Sequence, residues 1–227
     1  MDNLPFYIYF VFGLTLLLAV LLFYKATKLS KVFLITISVW IVLQSILSQS
    51  GFYRSTNKFP PRLPFLLLPP IILITTLFNT KKGKYFIDSL NIKILSIFHI
   101  IRIPVELVLF WLFMYKSVPQ LMTFEGRNFD IFSGLSAPFI YYFGFSKNKL
   151  SNKTLVGWNF ICLALVINIA INGILSATTT FQQFAFEQPN IAIQYFPFAL
   201  LPSVIVPLVI FSHLVSIRQL LSIKILK

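Results

Sequence analysis

Three groups with proton and ion chemistry interrupt an apolar stretch at residues 99–113, "HIIRIPVELVLFWLF". His99 can give or take a proton near neutral pH, Arg102 offers a planar fork of donors to an oxyanion, and Glu106 can hold a proton or a cation. Spacings of three and four residues put the three within about 60° of arc on a helix, so they form one stripe facing one neighbour. Arg102 and Glu106 are close enough to offset each other's charge, although cation before anion is the weaker order. Pro104, between them, cannot bond the carbonyl of Ile100 and leaves an acceptor free beside the stripe.

What such a stripe does depends on its solvent. The chain has 227 residues, of which 57% are hydrophobic and 11% charged, with a mean hydropathy of +0.84. Soluble domains of this size do not have that composition. Apolar runs recur along the whole chain and predict seven spans, at 5–24, 32–52, 63–78, 95–115, 129–145, 154–175 and 196–217. The expected fold is all-α, a single transmembrane helical domain over residues 1–227, with short loops and backbone groups paired within each helix. No internal repeat suggests an inverted-repeat transporter.

Orientation follows from the cations. Lys25, Lys28, Lys31, Lys81, Lys82, Lys84, Lys93, Lys147, Lys149, Lys153, Arg218, Lys224 and Lys227 fall on one side of the predicted spans, and Arg54, Lys58, Arg62, Lys116 and Arg127 on the other. The positive-inside rule then puts the N-terminus outside and the C-terminus in the cytoplasm. The net charge of +13 is spread over short loops rather than gathered on one stacking face, so the expected partner is a bilayer with anionic headgroups and not nucleic acid. Asp2 and the lack of an early cation favour a retained first helix over a signal peptide. Residues 85–94 alternate apolar and polar groups at the spacing of an interfacial helix.

A charge at mid-membrane costs about 2.5 to 3.5 kcal/mol on insertion scales, so the stripe is expected to face the bundle interior. At about 1.5 Å per residue, Glu106, Gln44 and Asn168 lie at similar depth. His99, Arg102, Glu106, Gln44 and Asn168 are therefore the candidate intramembrane cluster. His99 and His213, the only histidines, share a level nearer the cytoplasmic edge and are the candidate nitrogens for a haem or metal. On the outer face, Glu125, Arg127, Asp130 and Glu187 are the charged loop candidates. Around Gly126 the first three have an equally plain reading as a turn with a surface ion pair.

Absent motifs narrow the field. There is no His-Glu-x-x-His helix, no nucleophile elbow and no phosphate-binding Gly-rich loop. Two histidines cannot make a three-His zinc site, and Cys162 has no second cysteine to pair with. The last span holds no lysine for a retinal. The preferred reading is a small-solute or proton binding and transport protein, with a polar or anionic ligand and no cofactor expected. A haem or metal redox protein using His99 and His213, and an assembly protein acting through its outer loops, are the alternatives. The stripe also has a structural reading, as hydrogen-bonded glue between helices.

"FEGRNFD" at 124–130, "AFEQPN" at 185–190 and the run 99–106 resemble segments of hypothetical bacterial seven-span integral membrane proteins, along essentially the whole chain. The resemblance implies a multi-pass protein of the bacterial inner membrane. It carries no assigned activity.

Overall fold

The backbone of an apolar chain must satisfy its own polar groups, and local helices do this without a partner segment. The structure is a computed structural model that describes residues 4–54 and 62–222. The described residues form helices and no strands. In chain order the α-helices are α1 (Phe6–Ala26), α2 (Lys31–Gln49), α3 (Leu68–Asn79), α4 (Lys81–Ser89), α5 (Ile92–Phe98), α6 (Arg102–Met114), α7 (Ile131–Phe139), α8 (Asn152–Leu175) and α9 (Val206–Ser222). Lys58, Pro60, Pro61, Lys224, Lys227 and Asp2 lie outside the described residues. Side-chain caps set several starts: Ser30, Asn91 and Ser151 accept the N–H groups of Phe33, Ile94 and Thr154.

Five helical runs are long and apolar enough to cross a membrane: Phe6–Ala26, Lys31–Gln49, Ile92–Met114, Asn152–Leu175 and Leu201–Ser222. The other two predicted spans are shorter than expected. Residues 63–78 divide into a 3-10 turn, Leu63–Leu66, and the 12-residue α3, which reaches only about 18 Å. Pro69 and Pro70 stand at its beginning. The predicted fifth span becomes α7, nine residues long, continued by a π-type stretch, Ile140–Ser146. Pro138 inside α7 removes one helical donor just before that stretch. The stretch 85–94, expected as one interfacial helix, is divided at Leu90 and Asn91 between α4, which buries Gly83 and Ile87 and leaves Tyr85 exposed, and the start of α5.

α1 runs antiparallel to α5 and α6. Tyr7 of α1 meets Trp111 at one end, with ring centroids 5.0 Å apart, and Phe23 meets Phe98 at the other, at 5.4 Å. α9 lies alongside α1, Phe211 being 5.9 Å from Phe23, and α8 packs along α9. The lysine-bearing loops gather at one end, where Asn91 donates to the Ala26 carbonyl, Arg218 pairs with Asp88, and Phe145 packs with Leu155 and Leu220.

α9 is the most enclosed of the long helices and α2 the least. α2 buries Gln44 and Ser48 while exposing Val32, Ile35, Val39 and Ile46. That polarity is the reverse of a water-soluble helix and fits lipid as solvent. Its dock on the turn leading into α9 has a specific cause: Pro207 cannot bond the carbonyl of Ser203, and Trp40 Nε1 donates to that oxygen instead, at 2.8 Å.

Candidate functional site

Pro104 shapes the stripe. Without its N–H the α5–α6 run tightens into a 3-10 turn at His99–Ile101 and restarts as α6 at Arg102. The stripe faces inward, with His99, Arg102 and Glu106 exposed by 0%, 2% and 1%. Among the described residues Arg102, Glu106 and Asp130 are the buried side chains of ordinarily charged type.

Their partners differ from those expected. Arg102 Nη1 donates to Asp130 Oδ1 at 2.5 Å and, at 3.5 Å, to the Cys162 carbonyl of α8. Glu106 does not pair with Arg102; both its oxygens accept from Asn128 Nδ2 at 2.7 Å. Asn128 Nδ2 also reaches the Met122 carbonyl, and Asn128 Oδ1 accepts the N–H of Asp130. The loop before α7 therefore folds into the bundle and supplies both partners. Asn128, absent from the candidates, and Asp130, placed among outer-loop groups, belong to the site. Their signal in the sequence is alternation: Asn128 and Asp130 are buried and Phe129 between them is exposed.

Two glycines permit that fold. A Cβ on Gly126 would lie 2.2 Å from the carbonyl oxygen of Gln120, so the chain doubles back there with no room for a side chain. One on Gly134 would lie 2.9 Å from Ile103 Cγ1 and 3.1 Å from its backbone nitrogen, which lets α7 approach α6 beside Arg102.

Gln44 and Asn168 lie away from the stripe. Gln44 accepts from the Tyr53 hydroxyl and donates to the Phe65 carbonyl, fastening α2 to the turn before α3. Burial pushes the Tyr53 phenol up to about 12, against the opposing pull of the Gln44 hydrogen bond. Asn168 is exposed and donates to the Arg127 carbonyl at 3.1 Å. Equal depth set these residues level with Glu106, but depth carries no information about which way a helix face turns. Glu125, Arg127 and Glu187 are exposed, with the Arg127 guanidinium over the Phe184 ring.

The histidines meet. His99 and His213 stack with centroids 3.8 Å apart and planes 9° from parallel, and Trp158 presents an edge to both. Asn159 Nδ2 donates to the Leu155 carbonyl, which turns Oδ1 toward His213 Nδ1 at 2.8 Å and makes that nitrogen the donor. His99 Nε2 lies 3.3 Å from Ser212 Oγ. A metal ion lies near the plane of an imidazole about 2.0 to 2.1 Å from its nitrogen. Nearly parallel stacked rings do not present two nitrogens to one ion in that way. Among the described residues no group of three or more His, Cys, Asp or Glu side chains is placed to hold a metal.

A cavity of about 260 Å³ adjoins the charged cluster. Arg102, Glu106 and Asp130 line it, and so do Thr179 and Phe181 in the loop after α8 and Ile193 farther along. Apolar side chains of α3, α6, α8 and α9 make its walls. Among the described residues Arg102 Nε and Nη2 have no hydrogen-bond partner. Farther along the same run and α9, Ser96 Oγ, His99 Nδ1, His213 Nε2 and Ser216 Oγ are also buried without one.

The chain belongs to the family described as a domain of unknown function (DUF8737), which matches residues 63–221. The match includes the stripe, Asn128, Asp130 and both histidines, and leaves out α1 and α2. No curated protein and no solved structure matches the chain.

Proposed function

We propose that this member of the DUF8737 family is a multi-pass membrane protein that binds a small solute at Arg102, Glu106 and Asp130 and passes it through the bundle. In this reading seven segments traverse the bilayer, two of them short, with the lysine-rich end in the cytoplasm and the cavity entered from the opposite end. The observation that carries it is the unused donor edge of a guanidinium exposed by only 2%, in a residue that lines a cavity. Helix glue would leave no reason for such an edge, because an unmatched buried donor costs about 1 to 3 kcal/mol. The lining residues Thr179 and Phe181 supply the route to the outer end.

Thiol labelling tests the route. In a Cys162→Ser background, Ala170→Cys lies on the cavity wall and Ile161→Cys on the exposed face of α8. A membrane-impermeant methanethiosulfonate added outside intact cells is expected to label position 170 and leave position 161 unlabelled, since a thiol in lipid stays protonated and unreactive. Equal protection at both positions, with both thiols reactive after denaturation, would overturn the reading.

A further inference from the structure

The chemistry of the solute follows from which guanidinium atoms are free, an inference that rests on the reading of Arg102 as a ligand site. Arg102 spends Nη1 on Asp130 and the Cys162 carbonyl. The two nitrogens left, Nε and Nη2, share the side edge of the guanidinium, where two N–H bonds run parallel and match the two oxygens of a carboxylate. The rest of the cavity is apolar, with side chains such as Val105, Leu109, Ile169 and Val209 in its walls. A ligand that satisfies both features has one oxyanion and a hydrocarbon body.

Charge balance then sets a condition. Arg102 and Asp130 neutralise each other, which leaves the carboxyl of Glu106 as the remaining group of charged type in the buried cluster. Placing an anion beside an ionised Glu106 would put two uncompensated negative charges in a site with little water, an arrangement low-dielectric surroundings disfavour strongly. The other groups near Glu106 cannot absorb that charge. Asn128 and Asp130 face it from the loop before α7, while Cys162 of α8 turns its carbonyl to Arg102. His213 of α9 lies beyond Arg102, stacked on His99, and Tyr7 of α1 sits by Trp111. α3 carries no titratable side chain.

We propose that the site binds a carboxylic acid with an apolar body, its carboxylate on the Nε–Nη2 edge of Arg102, and that Glu106 takes up one proton with each anion bound. The step balances whichever form arrives: the O–H bond of the acid breaks and the O–H bond of Glu106 forms, or the anion enters and Glu106 takes the proton of a buffer acid, whose conjugate base stays in solution. No net charge enters the site. A solute carried this way crosses as an electroneutral anion–proton pair.

Calorimetry on the full chain in nanodiscs of zwitterionic lipid tests this, with octanoate as the probe, empty nanodiscs as blank, and borate and Tris buffers at pH 9. The difference in heat between buffers gives the protons taken up, expected to be about one per octanoate by linkage. Glu106→Gln is expected to hold octanoate with affinity no longer dependent on pH, and with no proton uptake. Arg102→Lys keeps a cation for Asp130 but lacks the side edge, so it should stay folded and bind at least about tenfold more weakly. Octanol, with a similar body and no anion, should bind more weakly than octanoate. Absence of octanoate binding, proton uptake unchanged in Glu106→Gln, or octanoate binding unaffected by Arg102→Lys would each overturn the proposal. If position 170 still labels from outside, the ligand site survives that failure and only its chemistry is wrong.

Discussion

At the scale of single residues, the energetics of the site centre on Arg102. A guanidinium withdrawn from solvent is tolerable only with a partner, and Asp130 supplies it from the next segment of chain. Removing either member leaves the other buried and unpaired, which costs on the order of 3 to 5 kcal/mol. Arg102→Met and Asp130→Asn are each expected to lower stability by about that amount, and the double variant to recover much of it. Arg102→Met with Glu106→Gln should be closer to additive, because Glu106 has its hydrogen bonds from Asn128. Unfolding of the purified protein in SDS–detergent mixtures measures both cycles. Strict additivity for Arg102 and Asp130 would contradict the ion pair as the organising contact.

At the scale of elements, prolines decide where helices bend and what then holds them. Pro104 restarts the α5–α6 run at the stripe, and Pro207 frees a carbonyl in the turn leading into α9 that Trp40 of α2 captures. The second case gives a separable prediction. Trp40→Phe should cost about 1 kcal/mol, the usual worth of one hydrogen bond. In a Pro207→Ala background residue 207 regains an N–H for the Ser203 carbonyl, and the same Trp40 change should cost less. A double-mutant cycle on unfolding reads the difference. Equal costs in both backgrounds would mean that Trp40 holds α2 by packing alone.

At the scale of the whole molecule, lipid replaces water as the solvent of the outer surface. Exposed Val, Ile, Leu and Phe side chains ring α1, α2, α3 and α8, while Gln44 and Ser48 of α2 turn inward. The lysine-bearing loops meet at one end of the bundle. A reporter fused after Lys227 is expected to be active only as a cytoplasmic fusion, and one inserted near Phe184 only as an external one. Activity of the C-terminal fusion outside the cytoplasm would remove an odd number of traverses.

Composition and apolar recurrence alone determined the solvent, the helical class and most of the long helices, because the length a helix needs to cross lipid is a local property of the chain. The stripe at 99, 102 and 106 was equally legible, since helix periodicity fixes which residues share a face. Its partners were not. Asn128 and Asp130 reach it only because the loop doubles back at Gly126 against Gln120, a contact that exists in three dimensions and leaves in the sequence no more than a glycine and an alternation. Gln44 and Asn168 share its depth but face elsewhere, since depth follows from counting residues whereas the direction of a face follows from packing. The same distinction brought His99 and His213 from a common level into a stack. Only the assembled helices decided which edge of Arg102 is left free, because that depends on where every neighbouring donor and acceptor has been spent.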